Sequence, residues 1–251
     1  MDRLNPIEGE VFFIDKPLGW TSFDAVKRIR GALHRRLGIK RLKVGHAGTL
    51  DPLATGVLIV CTGRATKRID ELQAGVKEYV ATLRLGATTP SYDLERPIDA
   101  TYPWEHVTRE LVESVLRERF TGRIEQVPPA FSACKVDGRR AYKIARKGRE
   151  VELKAKTLVI DEIELTHFAA PEMTIRVKCS KGTYIRALAR DIGEALGSGA
   201  HLTALRRTQV GDINISQCVT VERLLEHLAT APMVMPQEIE RSKMTENMQT
   251  I

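Results

Sequence analysis

The apolar pattern of this chain switches between period 2 and period 3.6 without a regular strand–helix alternation, which argues against a doubly wound parallel sheet. Val11-Phe12-Phe13-Ile14 reads as a buried strand, closed by Asp15-Lys16-Pro17-Leu18-Gly19 as a turn. Val26, Ile29, Leu33 and Leu37 then recur at helical spacing, with Ser22 or Asp24 as the cap. Val57–Cys61 predicts another strand, and a short helix passes through Ile69 and Leu72. Tyr79–Leu85 alternates like a half-buried strand and gives way at Gly86 to a Thr/Pro/Ser/Asp-rich loop reaching about Pro103. Val107, Leu111, Val115, Leu116 and Phe120 form a helical stripe with Gly122 as C-cap. Thr157–Leu165 and Met173–Cys179 predict a hairpin around Ala169–Glu172. The following helix carries Ile185, Leu188, Ala189, Ile192 and Leu196 and stops at Gly197. Val210–Ile215 is a last short strand, and Thr220 caps a helix through Leu224, Leu225 and Leu228. From about Ala229 the periodicity is lost and the tail is expected to fray. Strands in meander-like runs with helices inserted irregularly make the class α+β.

Charge adds a partner to this outline. The 251 residues carry 39 Lys/Arg against 32 Asp/Glu, a net +7 that favours a polyanionic partner. The distribution matters more than the sum. Residues 27–43 hold eight basic side chains and no acid, and 135–156 hold nine against Asp137, Glu150 and Glu152. The two blocks carry +14 between them, so the remainder of the chain is at −7. Two basic blocks on an acidic body form a directed electrostatic footprint for nucleic acid. The cysteines at 61, 134, 179 and 218 show no Cys-x-x-Cys pair, which argues against a zinc site or a disulfide framework and for a reducing compartment. No leader-like or bilayer-length apolar run is present, so the expected protein is soluble and cytoplasmic, without a membrane.

One carboxylate stands in unusual backbone. Gly45-His46-Ala47-Gly48-Thr49-Leu50-Asp51-Pro52-Leu53-Ala54-Thr55-Gly56 combines glycines that permit positive φ or close approach with a proline that restricts Asp51. Asp51 is either a polar turn residue or a reagent. Gly45-x-x-Gly48 lacks the Gly-Lys-Ser/Thr ending of a phosphate loop, no Gly-x-Ser-x-Gly elbow occurs, and the six histidines lack metal-ligand spacing. Carboxylate chemistry without a metal is what the motifs leave. A lone aspartate acts as nucleophile or base if a cation keeps it ionised and aimed, and Arg186 in Gly182-Thr183-Tyr184-Ile185-Arg186 is a candidate cation. A base needs an aromatic face to stack on, for which Tyr79 and Tyr184 are candidates, either of which could equally be core.

The Gly45–Gly56 stretch closely resembles the catalytic motif of TruB-type tRNA pseudouridine synthases. The resemblance continues in Asp15-Lys16-Pro17, Lys77-Glu78-Tyr79, Val127-Pro128-Pro129-Ala130-Phe131-Ser132-Ala133, Ser180–Arg186, Gly199-Ala200-His201-Leu202 and Leu205-Arg206-Arg207, in order over about residues 10–225. It implies a pseudouridine synthase fold, with a central, mostly antiparallel mixed sheet flanked by helices and loops and a catalytic cleft across the sheet. It also implies isomerisation of uridine 55 in the tRNA T-loop, without cofactor or metal. Asp51 would then be the nucleophile, Arg186 its ion-pair partner and Tyr79 the stacking ring, while His46, Tyr184 and Leu205 line the base pocket. Lys16, Arg139, Arg140 and Lys143 are the expected contacts to the RNA backbone, the last three within a tRNA-gripping insertion at about 124–156. The base must be flipped out of its stack, at a cost of a few kcal/mol.

The expected organisation is a catalytic domain over 1–228 and a short tail over 229–251, too short for the PUA domain that many family members carry. That predicts tRNA binding focused on the T-arm by a monomer with no protein partner. A guide-RNA-directed synthase and a tRNA folding factor with secondary catalysis are the alternatives. The sequence leaves open whether Asp51 attacks C1′, attacks the base ring or deprotonates C2′.

Overall fold

The structure is a computed structural model that describes residues 3–132, 134–136, 139–141, 144, 153–239 and 241. In chain order the elements begin with β1 (Val11–Lys16), α1 (Ser22–Leu37), β2 (Val44–Ala47), β3 (Ala54–Thr62) and α2 (Ile69–Leu72). They continue with β4 (Lys77–Leu85), β5 (Ala87–Thr88), β6 (Ala100–Thr101), α3 (Arg109–Arg119), β7 (Gly122–Gln126), β8 (Lys135–Val136) and β9 (Arg139–Arg140). The last are β10 (Lys156–Ala169), β11 (Glu172–Cys179), α4 (Ile185–Ala195), β12 (Ala200–Val210), β13 (Ile213–Asn214), β14 (Val219–Thr220) and α5 (Val221–Thr230). The class is α+β, as the pattern predicts, with the mostly antiparallel pairing that the resemblance implies. No helix among the described residues is long and apolar enough to cross a membrane. The chain divides into two compact units, 1–75 with 209–251, and 76–208.

In the first unit β1 pairs antiparallel with β3 and parallel with β14, and β2 pairs antiparallel with β3. The continuous apolar run of β3 is explained by burial on both faces. Leu58 and Val60 pack with Ile29, Leu33, Leu224 and Leu228 of α1 and α5. Val57, Ile59 and Cys61 face a second layer with Ala47 and Val210. Helix α1 is capped by Thr21, not by Ser22 or Asp24. The Thr21 hydroxyl accepts from Asp24 N at 3.0 Å while Thr21 N donates to the Asp24 carboxylate at 2.9 Å, a reciprocal capping box. Asp24 is therefore the box partner, and Ser22 is free for another task.

The tail does not fray at Ala229. Helix α5 runs to Thr230, and the next residues return to the N-terminus, where Leu4 N donates to Pro232 O and Val234 N to Leu4 O, both at 2.9 Å. Met233 is buried in the α1–α5 core. The Arg3 guanidinium grips both oxygens of Glu238 at 2.7 Å and holds that carboxyl down at about 2. No periodic signal marks this segment because a single buried methionine anchors it.

In the second unit the strand order is β12-β4-β11-β10-β7. β4 and β11 are antiparallel from Lys77↔Cys179 to Arg84↔Glu172, β10 and β11 form the predicted hairpin, and β7 adds antiparallel to β10. Helix α3 starts after Thr108, whose hydroxyl accepts from Leu111 N at 3.2 Å. Its buried positions are Val112 and Leu116, while Leu111 is 38% exposed. The predicted stripe is thus off by one residue at this turn. Val107 and Val112, both buried, occupy the N′ and N4 positions of a hydrophobic staple outside and inside the cap. Gly122, the expected C-cap, instead opens β7 at φ +83°. β12 is a long strand where the pattern predicts only Val210–Ile215, and β8 pairs with β9 inside the second basic block.

Candidate active site

Asp51 sits in the 48–53 connection between β2 and β3, and the first unit fixes its backbone on both sides. On the N-terminal side, the buried Ser22 hydroxyl accepts from Leu50 N at 2.8 Å and donates to Leu50 O at 3.1 Å. On the C-terminal side Asp51 O accepts from Ala54 N at 3.1 Å, closing a four-residue turn with Pro52 at its second position, where a fixed φ suits it. Pro52 O in turn accepts from Gly19 N at 2.9 Å. Gly48 supplies a left-handed φ of +89°, while a Cβ on Gly45 would stand 2.8 Å from Ile69 Cδ1, the tip of a side chain that can yield. Asp51 itself stays half-buried, and His46 lies on β2 in register with Val60.

Lys16 differs from its expected role. It is fully buried, and its ammonium donates to the carbonyls of Pro17, Trp20 and Pro52. It anchors the residue after Asp51 through Pro52 O, and its burial leaves no surface to offer a phosphate. Lys16→Met removes that donor from buried carbonyls and is expected to cost about 3 kcal/mol in urea unfolding. The exposed Lys27→Met on α1 should stay within about 0.5 kcal/mol. Equal stability of the two variants would contradict the anchoring role.

The second unit groups Tyr79, Tyr184 and Arg186 at one end of its sheet. Cys179, the last residue of β11, is in register with Lys77, the first of β4, so Tyr79 lies two residues into β4 and Tyr184 five residues past β11. Tyr79 is 8% exposed. Burial and the neighbouring Arg207 guanidinium push the Lys77 ammonium down to about 8, and burial pushes the Cys179 thiol opposite it up to about 11. Tyr184 is the N-cap residue of α4, and the side chain of the buried Gln126 holds both of its backbone groups. Gln126 Oε1 accepts from Tyr184 N at 2.9 Å and its Nε2 donates to Tyr184 O at 3.2 Å. Leu205 is on β12, between the Thr203–Thr82 and Thr208–Glu78 hydrogen bonds that run to β4.

Arg186, in the first turn of α4, is 5% exposed and held by the 89–99 loop and the 127–131 connection. Its Nη1 donates to Ser91 O at 3.2 Å, its Nη2 to Phe131 O at 2.8 Å, and its Nε stands 3.7 Å from the Asp93 carboxylate. The loop is itself pinned. Tyr92 adopts φ +60°, rare for a bulky residue, accepts from Leu202 N at 3.0 Å through its carbonyl, and has the Arg190 guanidinium 5.1 Å above its ring. Thr89 Oγ1 donates to Asp93 O at 2.7 Å. A buried guanidinium with this many fixed acceptors presents its charge in one orientation.

Residues 34–185 match the model of the TruB family pseudouridylate synthase N-terminal domain, and 186–239 match that of the tRNA pseudouridylate synthase B C-terminal domain. The chain belongs to the TruB family. It is 69% identical over 225 residues to tRNA pseudouridine synthase B of Phocaeicola vulgatus, covering 90% of this chain and 95% of that protein. The corresponding protein of Flavobacterium johnsoniae is 51% identical, covering 88% and 97%. Among solved structures, a Cbf5–Nop10–Gar1 complex gives a TM-score of 0.66 at 31% identity, covering 89% of this chain and 55% of that one. An H/ACA ribonucleoprotein bound to a substrate RNA containing 2′-deoxyuridine gives 0.62 at 29%, covering 88% and 54%. This chain thus spans about half the length of those structural neighbours.

Against the TruB pattern, the first unit carries Lys16, His46 and Asp51, and the second carries Tyr79, Tyr184, Arg186 and Leu205. Arg139 and Arg140 are on β9, and Lys143 lies outside the described residues. Sequence reading missed the residues that position these. Ser22 reads as a helix cap, and its grip on Leu50 has no local signal. Asp93 is one acid within a polar loop, and Gln126 one amide at a strand end, so neither stands out before the chain is folded.

Proposed function

We propose that this TruB-family chain isomerises uridine 55 in the T-loop of tRNA to pseudouridine, with Asp51 as the reacting carboxylate. The observation that carries the reading is the two-sided fixation of the Asp51 backbone by Ser22 and by the Pro52 turn over Lys16. That support holds a half-buried carboxylate in one place, as a nucleophile requires. The tRNA substrate comes from relatives such as the tRNA pseudouridine synthase B of Phocaeicola vulgatus, which this chain spans nearly end to end. The proposed enzyme is a single cytoplasmic chain acting without a guide RNA or protein partner, and the 69% identity to that synthase, against about 30% to the Cbf5–Nop10–Gar1 and H/ACA complexes, supports the stand-alone branch.

The reaction is an isomerisation. The N1–C1′ bond breaks, a C5–C1′ bond forms, the C5 proton goes to solvent and N1 gains one. Asp51 serves this by attack at C1′, by attack at the ring or by removing the C2′ proton. The TruB resemblance assigns Arg186 as the cation that partners the nucleophile, and His46, Tyr184 and Leu205 as the residues that receive the flipped base. Arg139, Arg140 and Lys143 contact the RNA backbone. Tritium release from 5-labelled uridine in a T-arm transcript is the expected activity. Absence of release by the wild-type protein would overturn the reading in favour of an RNA-binding role alone.

Tyr79 supplies the stacking face. Tyr79→Phe should keep most T-arm affinity and Tyr79→Leu should lose it, because base–aromatic stacking is worth ~1–3 kcal/mol. Equal dissociation constants for all three proteins would remove the stacking role.

A further inference from the structure

Far along α1 from the Asp51 loop, a groove of about 420 Å³ lies between α1 and α5. Arg28, Arg35 and Arg36 form one side, and Leu225, Leu228 and Ala229 form an apolar floor. All of it belongs to the first unit. The arginines are exposed and, among the described residues, none makes a hydrogen bond or ion pair. Other arginines of this chain do engage acids, as Arg64 does Glu8, Arg109 does Glu113 and Arg176 does three glutamates. Glu222 and Glu226 of α5 are exposed yet do not line the groove. The apolar wall keeps three unpaired guanidiniums together, where their forked donors suit phosphate oxygens.

Its position separates it from the reacting site. Ser22, which grips Leu50, is the first residue of α1, and Arg35 and Arg36 come 13 and 14 residues later. At 1.5 Å per residue the groove's far end stands about 20 Å along the helix. We infer that this groove is a second RNA site, which takes a phosphate-anchored nucleotide of the tRNA outside the T-arm, the phosphate on the arginines and the nucleoside against Leu225 and Leu228. A basic block without acids calls for a polyanion, and forked donors that fit phosphate, on a chain whose proposed substrate is tRNA, select this occupant over an acidic protein segment.

This inference rests on the tRNA reading above, and its test separates the two. The variant combining Arg28→Gln, Arg35→Gln and Arg36→Gln is compared with the wild type on full-length tRNA and on a T-arm stem-loop, by tritium release and by filter binding at several salt concentrations. Glutamine keeps the helix propensity of α1. The ratio of kcat/KM on tRNA to that on the stem-loop should fall on the order of tenfold, and the salt dependence of tRNA binding should become shallower. Ala229→Glu, which places a carboxylate in the groove, should lower the same ratio. Equal losses on both substrates, or no loss on either, would overturn the second site. So would unchanged tRNA binding accompanied by altered self-association in sedimentation velocity, which would make the groove a protein interface. A wild-type protein inactive on both RNAs would instead defeat the tRNA reading.

Discussion

Asp51→Asn is expected to lower tritium release from a 5-labelled T-arm by at least about three orders of magnitude, or about 4 kcal/mol of transition-state stabilisation. The amide is isosteric with the carboxylate but is neither a nucleophile nor a base. The contacts from Ser22, Ala54, Gly19 and Lys16 meet backbone groups of Leu50, Asp51 and Pro52, so they survive the change. Unfolding free energy should therefore stay within about 0.5 kcal/mol of wild type. T-arm affinity should be retained, since stacking and phosphate contacts remain. If the variant kept a tenth of the wild-type rate, Asp51 would be a turn residue and no reagent. If it also refolded tRNA, a folding activity would coexist with catalysis.

Arg186→Met should be the most damaging substitution for stability. It leaves the Asp93 carboxylate, 7% exposed, without its cation, and withdraws a donor from the carbonyls of Ser91 and Phe131. Removing one partner of a buried pair costs about 3–5 kcal/mol, because the remaining charge stays desolvated. Arg186→Lys keeps the charge but cannot offer a fork to three acceptors on two segments. It should recover part of the stability and little of the activity. The double variant with Asp93→Asn discriminates coupling from simple loss, since neutralising the stranded carboxylate should return stability to Arg186→Met. Additive losses in urea unfolding would show that the pair is not coupled.

Much of this was legible before folding, for reasons specific to each element. The β3 run is apolar because it is buried on both faces, and the α1 stripe and β10–β11 hairpin follow from periods that the core enforces. β12 escaped because it buries polar residues. His201 Nδ1 meets Ala87 O at 2.9 Å and Arg207 is 2% exposed, so no apolar alternation announces the strand. The α3 register slipped where Thr108 caps the helix and leaves Val107 outside it. Asp51 was visible because glycine and proline mark its backbone. Ser22, Asp93 and Gln126 were not, because each acts on a residue 28, 93 or 58 positions away in the chain, a relation that only the fold creates.

The central claim concerns one uridine in one RNA. Full-length elongator tRNA made without modifications, incubated with the wild-type protein and then mapped for pseudouridine by carbodiimide adducts and primer extension, tests it most directly. A single pseudouridine at position 55, absent with Asp51→Asn, is the predicted result. An unmodified position 55, or pseudouridine formed elsewhere in the tRNA while 55 remains uridine, would contradict it.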